Sequence, residues 1–383
     1  MKSPICDMFD IEFPLLAFSH CRDVVVAVSK AGGMGVFGAV NLSPDRLREE
    51  LDWIVDNIDG KPFGLDLIVP NKIEGKAEGF DPTKLRAMVP EQHTEFVDQL
   101  LKDHGIEDTD FEAQRKGSAG GSLNMTEKGA ASSLEVAFDY PIKLIVNALG
   151  VPPPVMMEMA KAKGVPTGAL VGAKQHAINQ VAAGVDVLVV AGGEAGGHCG
   201  DVSTMVLVPE VARAVNEMGA NTAILAAGGI TTGQQMAASM AMGAHGAWCG
   251  SVWLTTAEAE TNPIVKEKML MATSRDTVRS KSRTGKYTRQ LRSPWTDAWS
   301  SEDAPQPLPM PLQSMVTEPA LRHIDKLAEA GHEGAQALST YWVGQGVGMM
   351  NQPMTSGQVV QQFKEEFIEA YETLMNVLDT EKA

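Results

Sequence analysis

The sequence has few cysteines, a deficit of positive charge and no long apolar run, and each shortage excludes a class of protein. Its 383 residues include four cysteines, Cys6, Cys21, Cys199 and Cys249. No two form a C-x-x-C pair, which argues against a structural zinc and against a disulfide framework. Asp and Glu outnumber Lys and Arg by 48 to 32, a net charge of −16. A field of that sign repels nucleic acid and anionic membrane, so neither is an expected partner. No stretch approaches the roughly 18 consecutive apolar residues of a spanning helix, and the opening MKSPICDMFD lacks the apolar core of a secretory signal. Reduced thiols and a cytoplasmic location are the expectation. No Gly-x-Gly-x-x-Gly run sits in a strand-turn-helix setting, so a separate Rossmann nicotinamide domain is not expected.

Glycine is abundant, at 37 residues, and clusters just after short apolar runs. Residues 14–18 (PLLAF), 34–39 (MGVFGA) and 63–69 (FGLDLIV) read as strands, with helical spacing over 23–31 and 44–58 between them. The rhythm resumes with strands over 142–148, 166–171, 185–191, 222–227 and 246–252, and helices over 155–163, 174–183, 209–218 and 233–242. Strands buried on both faces and alternating with helices imply a parallel sheet. Eight such units point to a closed (β/α)8 TIM barrel built from residues 1–71 and 141–256, with its chemistry at the C-terminal ends of the strands.

Two segments break the rhythm. Residues 72–140 form an insertion with one helix, whose stripe Phe96, Val97, Leu100 and Leu101 ends near Gly105, and a flexible glycine- and serine-rich run at 117–122. A loop this long after the third strand reads as an active-site cover, with a plain surface excursion as the alternative. Residues 257–383 read as a mostly helical region packed on the barrel, with helices over 319–330 and 359–378, the second starting from a Ser356 cap. Its stripe of Val359, Val360, Phe363, Phe367, Tyr371, Leu374 and Leu378 reads as core, with a homodimer contact as the alternative. The basic stretch Arg275, Arg279, Lys281, Arg283, Lys286, Arg289 and Arg292 reads as a solvated face, from which Arg289 or Arg292 could reach an anionic substrate or cover a cofactor.

Gly228-Gly229 ends the seventh strand and Gly250-Ser251 the eighth. Glycine there lets backbone N–H groups approach a phosphate without any basic side chain. The run Gly192-Gly193-Glu194-Ala195-Gly196-Gly197-His198-Cys199-Gly200 follows the sixth strand. Five glycines about one Glu and one His make a loop that folds closely over a flat ligand while aiming an imidazole inward, and imidazole exchanges protons near neutral pH. Glu194 reads as a loop-holding acceptor of backbone N–H bonds. No second His or carboxylate lies at ligand spacing around His198, so no metal is expected. Cys199 reads as a small half-buried thiol, and His176 and His245 as structural.

The run GGEAGGHCG, followed by AAGGITTGQQMAASMAMGAHGAWCGS at 226–251, resembles the nitronate monooxygenase family, formerly called 2-nitropropane dioxygenases. The resemblance extends over AVSKAGGMGVFG at 27–38 and KPFGLDLIVP at 61–70, and more faintly over TGKY at 284–287 and VGQG at 343–346. It implies an FMN-binding barrel oxidoreductase. His198 would be the acid/base group, with Gly193, Glu194, Gly196 and Gly197 in the loop beside the flavin. Gly228, Gly229, Gly250 and Ser251 would hold the phosphate, and Ala17 and Phe18 would lie near the ring. Where the family commonly has Ala-Pro-Met at the first strand end, this chain has Ala17-Phe18-Ser19-His20, which places His20 in the expected substrate space, with a satisfied structural histidine as the alternative. Where a flavin-contacting Asn is usual, it has Asp66. The segment at 170–177 lacks the family's frequent Lys, with Lys174 lying later.

The resemblance implies oxidation of a nitronate or nitroalkane by dioxygen through the flavin. The alternatives are an NAD(P)H-dependent reductase of an activated double bond such as an enoyl thioester, and a non-enzymatic flavin-binding protein. Fold and cofactor follow more directly from the family than substrate does.

Overall fold

The computed structural model describes residues 1–40, 42–69, 82–107 and 127–378. The eight barrel strands are β1 (Leu15–Ser19), β2 (Met34–Gly38), β3 (Phe63–Leu67), β4 (Leu144–Asn147), β5 (Thr167–Val171), β6 (Val187–Ala191), β8 (Ala223–Ala227) and β9 (Gly246–Cys249), with the short β7 (Gly197–His198) lying outside the ring. All eight pair in parallel, and β9 closes on β1 with Leu15 opposite Ala247 and Ala17 opposite Cys249. The last strand is shorter than its apolar run, because at Ser251 the chain turns into a 3-10 helix over Ser251–Thr255.

Side chains alternate in and out of the ring. Leu16, Met34, Val36, Leu144, Val146, Val187, Val189, Leu225 and Trp248 face inward and share one cluster with Ile5, Cys6 and Phe9 of the helix Pro4–Phe9. That N-terminal helix plugs the bottom of the barrel, where Ser3 donates to the carbonyl of His245. The His245 Nδ1 in turn accepts the N–H of Ile224 at 2.9 Å, a structural use of that ring. Outward residues such as Leu15, Ala17, Leu188 and Val190 pack under the surrounding helices. Both faces of each strand are therefore apolar, which is why the strands read as continuous hydrophobic runs.

Two prolines displace helix starts. The spacing suggests a start at Pro209, yet the helix runs Thr204–Glu217 with Pro209 inside it, and the helix over Leu312–Glu329 likewise contains Pro319. The last helix spans Ser356–Leu378 and its cap is Thr355, not Ser356: Gln358 N donates to Thr355 Oγ1 and Gln358 Oε1 accepts from Thr355 N, a capping box. Of its apolar stripe, Val359, Val360 and Phe363 are buried, whereas Tyr371 and Leu374 are exposed. The core reading holds only for the first half of that stripe.

The insertion holds more than the one expected helix, and its parts divide: the helix Glu127–Phe138 packs on the barrel, where Leu134, Ala137 and Phe138 share a core with Leu47, Leu51 and Ile54, while the part before it packs against the C-terminal region. Val97, Leu100 and Leu101 of the helix Glu91–Asp103 share a core with Trp295, Trp299, Ala320 and Ile324, and His93 Nε2 bonds the carbonyl of Gln306 at 2.9 Å. The run at 117–122 lies outside the described residues. The C-terminal region also holds two strands, β10 (Thr277–Ser280) and β11 (Thr288–Leu291), which form an antiparallel hairpin that pairs with β7. This hairpin carries much of the basic stretch, and the solvated-face reading fails for two of its residues. Arg283 is buried, ion-paired with Glu318 and stacked 4.1 Å from the Trp342 ring, and Arg289 turns inward to the loop after β6.

Candidate active site

The C-terminal ends of β1, β3, β6, β8 and β9 bring the candidate residues to one mouth. The loop after β6 is held from three sides. Glu194 Oε2 accepts the N–H of Thr204 at 2.9 Å and lies 2.9 Å from its hydroxyl, so this carboxylate braces the loop against the helix that follows. Arg289 donates through Nε and Nη2 to the Gly193 carbonyl, at 3.0 and 2.9 Å. The carbonyl of Glu194 accepts Gln345 N at 2.9 Å, and Gly344 N donates to Ser251 Oγ at 2.8 Å. Residues 344–346 thus tie the β6 loop to the β9 loop.

Packing among these loops is backbone against backbone. A Cβ on Gly196 would lie 2.8 Å from Gly344 N, and one on Gly229 would lie 2.9 Å from the Glu194 Cβ. Gly228 has φ +100° and its Cβ would sit 2.8 Å from Thr204 Oγ1, so only glycine fits there. On the other side the space is open. A Cβ on Gly197 would meet nothing within 4 Å, and one on Gly250 would meet only the Phe18 ring, at 3.8 Å.

His198 lies on β7 opposite Thr288 of β11, and its Nε2 is 3.0 Å from Thr284 Oγ1. Its outer edge is exposed, yet partial burial and the nearby Lys286 ammonium hold its pKa below the ordinary histidine value, favouring the neutral ring. Burial raises the neighbouring Cys199 thiol, against the pull of Arg289 and Arg279, so it is no ready thiolate.

Across the mouth, Phe18 stacks 5.9 Å from Trp248 and meets the His20 ring edge-on at 5.1 Å. His20 Nδ1 is 2.6 Å from the carbonyl of Gly38. Ala17 points its side chain away, into the outer core, so only its backbone can border the mouth. Asp66 stands opposite Gly38 in the β2–β3 register, is 2% exposed, and its Oδ1 has no hydrogen-bond partner. Burial pushes its pKa well above the usual carboxylate range. A carboxyl raised in the folded state holds its proton there after the unfolded chain has released it, so its contribution to stability falls as pH climbs above about 3.8. Asp66→Asn is therefore expected to raise the melting temperature of the flavin-free protein at pH 7 and to leave it nearly unchanged at pH 3.5. An equal shift at both values would place the effect in packing rather than charge.

Spacing in the sequence did not point to Thr204, Thr284 or Arg289 as the braces of this loop, since each lies 10 to 96 residues from its partner. Lys174 begins the helix Lys174–Ala182, and Arg292 pairs with Asp297 at the surface.

The family model for nitronate monooxygenase matches residues 2–366. A Mycobacterium tuberculosis protein named as a monooxygenase, Rv1533, is 50% identical over 382 residues, covering 99% of this chain and 100% of that protein. Among solved structures, a nitroalkane oxidase from Streptomyces ansochromogenes aligns with a TM-score of 0.74 at 23% identity, over 97% of this chain and 99% of its own. FabK from Thermotoga maritima aligns with a TM-score of 0.70 at 25% identity, over 98% and 99%. Among the described residues no helix is long and apolar enough to cross a membrane. The match across almost the whole chain, on a closed eight-stranded barrel with its glycine loops gathered at one mouth, places this protein in the nitronate monooxygenase family of flavin-dependent oxidoreductases.

Proposed function

We propose that the protein is an FMN-dependent oxidase of a nitronate or nitroalkane, with dioxygen as co-substrate and His198 as the acid/base group. The observation that carries the reading is the loop of Gly193 to His198, braced by Glu194, Arg289 and Gln345 and open above Gly197 and Gly250. The residues suit FMN. Gly228, Gly229, Gly250 and Ser251 line the β8 and β9 ends where such barrels hold a phosphate, and Asp66 offers a buried, unpartnered oxygen to a polar ring edge. Phe18 and the backbone at Ala17 would border the ring, with the loop of Gly196 and Gly197 beside it.

When bound, the flavin supplies the electron acceptor for substrate oxidation and the point at which dioxygen is consumed. The chain supplies the rest. His198, favoured neutral, exchanges a proton through its imidazole while Thr284 fixes the ring. The braced loop keeps that ring in register with the mouth, so little reorganisation is needed as the substrate reacts.

Two measurements test the reading. The purified protein is expected to be yellow and to release FMN, identified by mass, on heating; release of FAD, or failure to retain FMN on reconstitution, would overturn the cofactor assignment. Anaerobic mixing with a nitronate is then expected to bleach the flavin. Rapid bleaching by NADH or NADPH, with none by nitronate, would replace this reading with a reductase.

A further inference from the structure

We propose that Asp66 meets the flavin as a neutral carboxylic acid, donating its O–H to an acceptor atom of the ring, and thereby sets how strongly the site prefers reduced over oxidised FMN; this rests on the FMN reading above. Asp66 lies opposite Gly38 of β2 and Val146 of β4. Val146 faces into the ring of strands, so the Asp66 side chain, on the same side of the sheet, points into the barrel near the C-terminal strand ends. It is 2% exposed, and its Oδ1 has no hydrogen-bond partner.

The strands on either side offer this carboxyl no charge. Gly38 has no side chain and Val146 is apolar, and neither β2 (MGVFG) nor β4 (LIVN) carries a titratable group. The space over Gly38 is taken by Phe18 and His20, since a Cβ there would lie 2.8 Å from the Phe18 ring and 2.7 Å from His20 Nδ1. His20 is the titratable group that faces this corner, and its Nδ1 is turned to the Gly38 carbonyl at 2.6 Å. Asn147 spends its amide on Val69 and Leu149. A carboxylate buried without a partner is far costlier than the neutral acid, so burial alone drives the Asp66 pKa up. The neutral form keeps one O–H, and a buried O–H without an acceptor is costly in turn.

The isoalloxazine ring carries carbonyl oxygens and ring nitrogens that accept hydrogen bonds, and Asp66 supplies the donor. Reduction brings negative charge onto the ring, and a nitronate brings negative charge to the mouth. A carboxylate at Asp66 would oppose both. The neutral acid opposes neither, and its hydrogen bond strengthens as the acceptor becomes more negative, so it favours reduced over oxidised FMN. The proton on Asp66 is what lets an acidic side chain sit in a site that takes up electrons and an anion.

The test compares flavin-loaded wild type with Asp66→Asn, which remains a neutral donor, and with Asp66→Leu, which is neutral and donates nothing. The midpoint potential of the bound flavin at pH 7, set against that of free FMN, gives the ratio of affinities for the reduced and oxidised forms. Wild type and Asp66→Asn are expected to agree within about threefold, and Asp66→Leu to lose about tenfold in that ratio, or about 30 mV for a two-electron couple. In reduced-minus-oxidised infrared difference spectra, wild type is expected to show a protonated-carboxyl band that moves on reduction and that both variants lack. If Asp66→Leu retains no flavin, the wild-type and Asp66→Asn ratios and this band decide. A ratio that rises about tenfold or more in Asp66→Asn, with no such band in wild type, makes Asp66 a carboxylate and overturns the proposal. Equal ratios in all three proteins overturn it by removing Asp66 from contact with the ring. A bound flavin that proves to be FAD would end the FMN reading, while the same ratios would still decide Asp66. A protein that retains no flavin would overturn both.

Discussion

His198→Ala is expected to keep its flavin and to lose about 10²- to 10⁴-fold in turnover, the usual contribution of a general acid/base group. Retention follows from the geometry, because the loop is braced through Glu194, Arg289 and Gln345 and not through the imidazole. The His198 ring has one side-chain partner, Thr284, which keeps a second bond to the Lys286 backbone after the ring is removed. Flavin absorbance per protein should therefore match wild type while steady-state turnover of the best nitronate collapses. Unchanged turnover would remove His198 from the chemistry. Loss of the flavin along with activity would make it an anchor.

Gly228→Val is expected to act in the opposite sense, weakening flavin retention. The position has φ +100°, and the new Cβ would lie 2.8 Å from Thr204 Oγ1 and 2.9 Å from Gly192 N. Left-handed strain alone costs roughly 1–3 kcal/mol at a non-glycine residue. Here the clash adds to it, pushing the β8 loop away from the β6 loop, so a loss of at least about tenfold in flavin affinity, or about 1.4 kcal/mol, is expected. Gly60→Ala supplies the control. It carries similar left-handed backbone at φ +69° but faces nothing within 4 Å, so it should lower stability and leave flavin binding intact. Equal flavin loss in both variants would mean that the barrel, and not the β8 loop proposed to hold the phosphate, is what fails.

The barrel is legible in the sequence because parallel strands buried on both faces make apolar runs that alternate with amphipathic helices, and the glycines mark where those strands end. The glycine loop with His198 is equally plain, since its residues are contiguous. Glu194 reads correctly as an acceptor that holds the loop, but the sequence conceals the partners that brace it from elsewhere in the chain. The β10 and β11 segments, TVRS and TRQL, are four residues each with no apolar alternation, so they give no period-two signal. The pairing of β11 with Gly197–His198 is a long-range event that spacing cannot express. Arg283 and Arg289 mislead for a related reason, because a guanidinium read as charge suggests solvent, whereas one is stacked and paired and the other caps a carbonyl. Pro209 and Pro319 mislead locally, each suggesting a helix start while sitting inside a longer helix.

The strand that carries His198 is completed by residues near 288, and the loop beside it is locked by Gly344 and Gln345. During synthesis the ribosome therefore delivers all eight barrel strands well before it delivers the parts that set the imidazole. A nascent chain ending near residue 256 carries all eight barrel strands but lacks the braces from Arg289 and Gln345, so the loop with His198 is set only after the tail has emerged. The same arrangement separates two kinds of heritable change. Substitutions in the strands alter whether the protein forms, while substitutions in the tail hairpin can retune the active loop of a barrel that is itself unchanged.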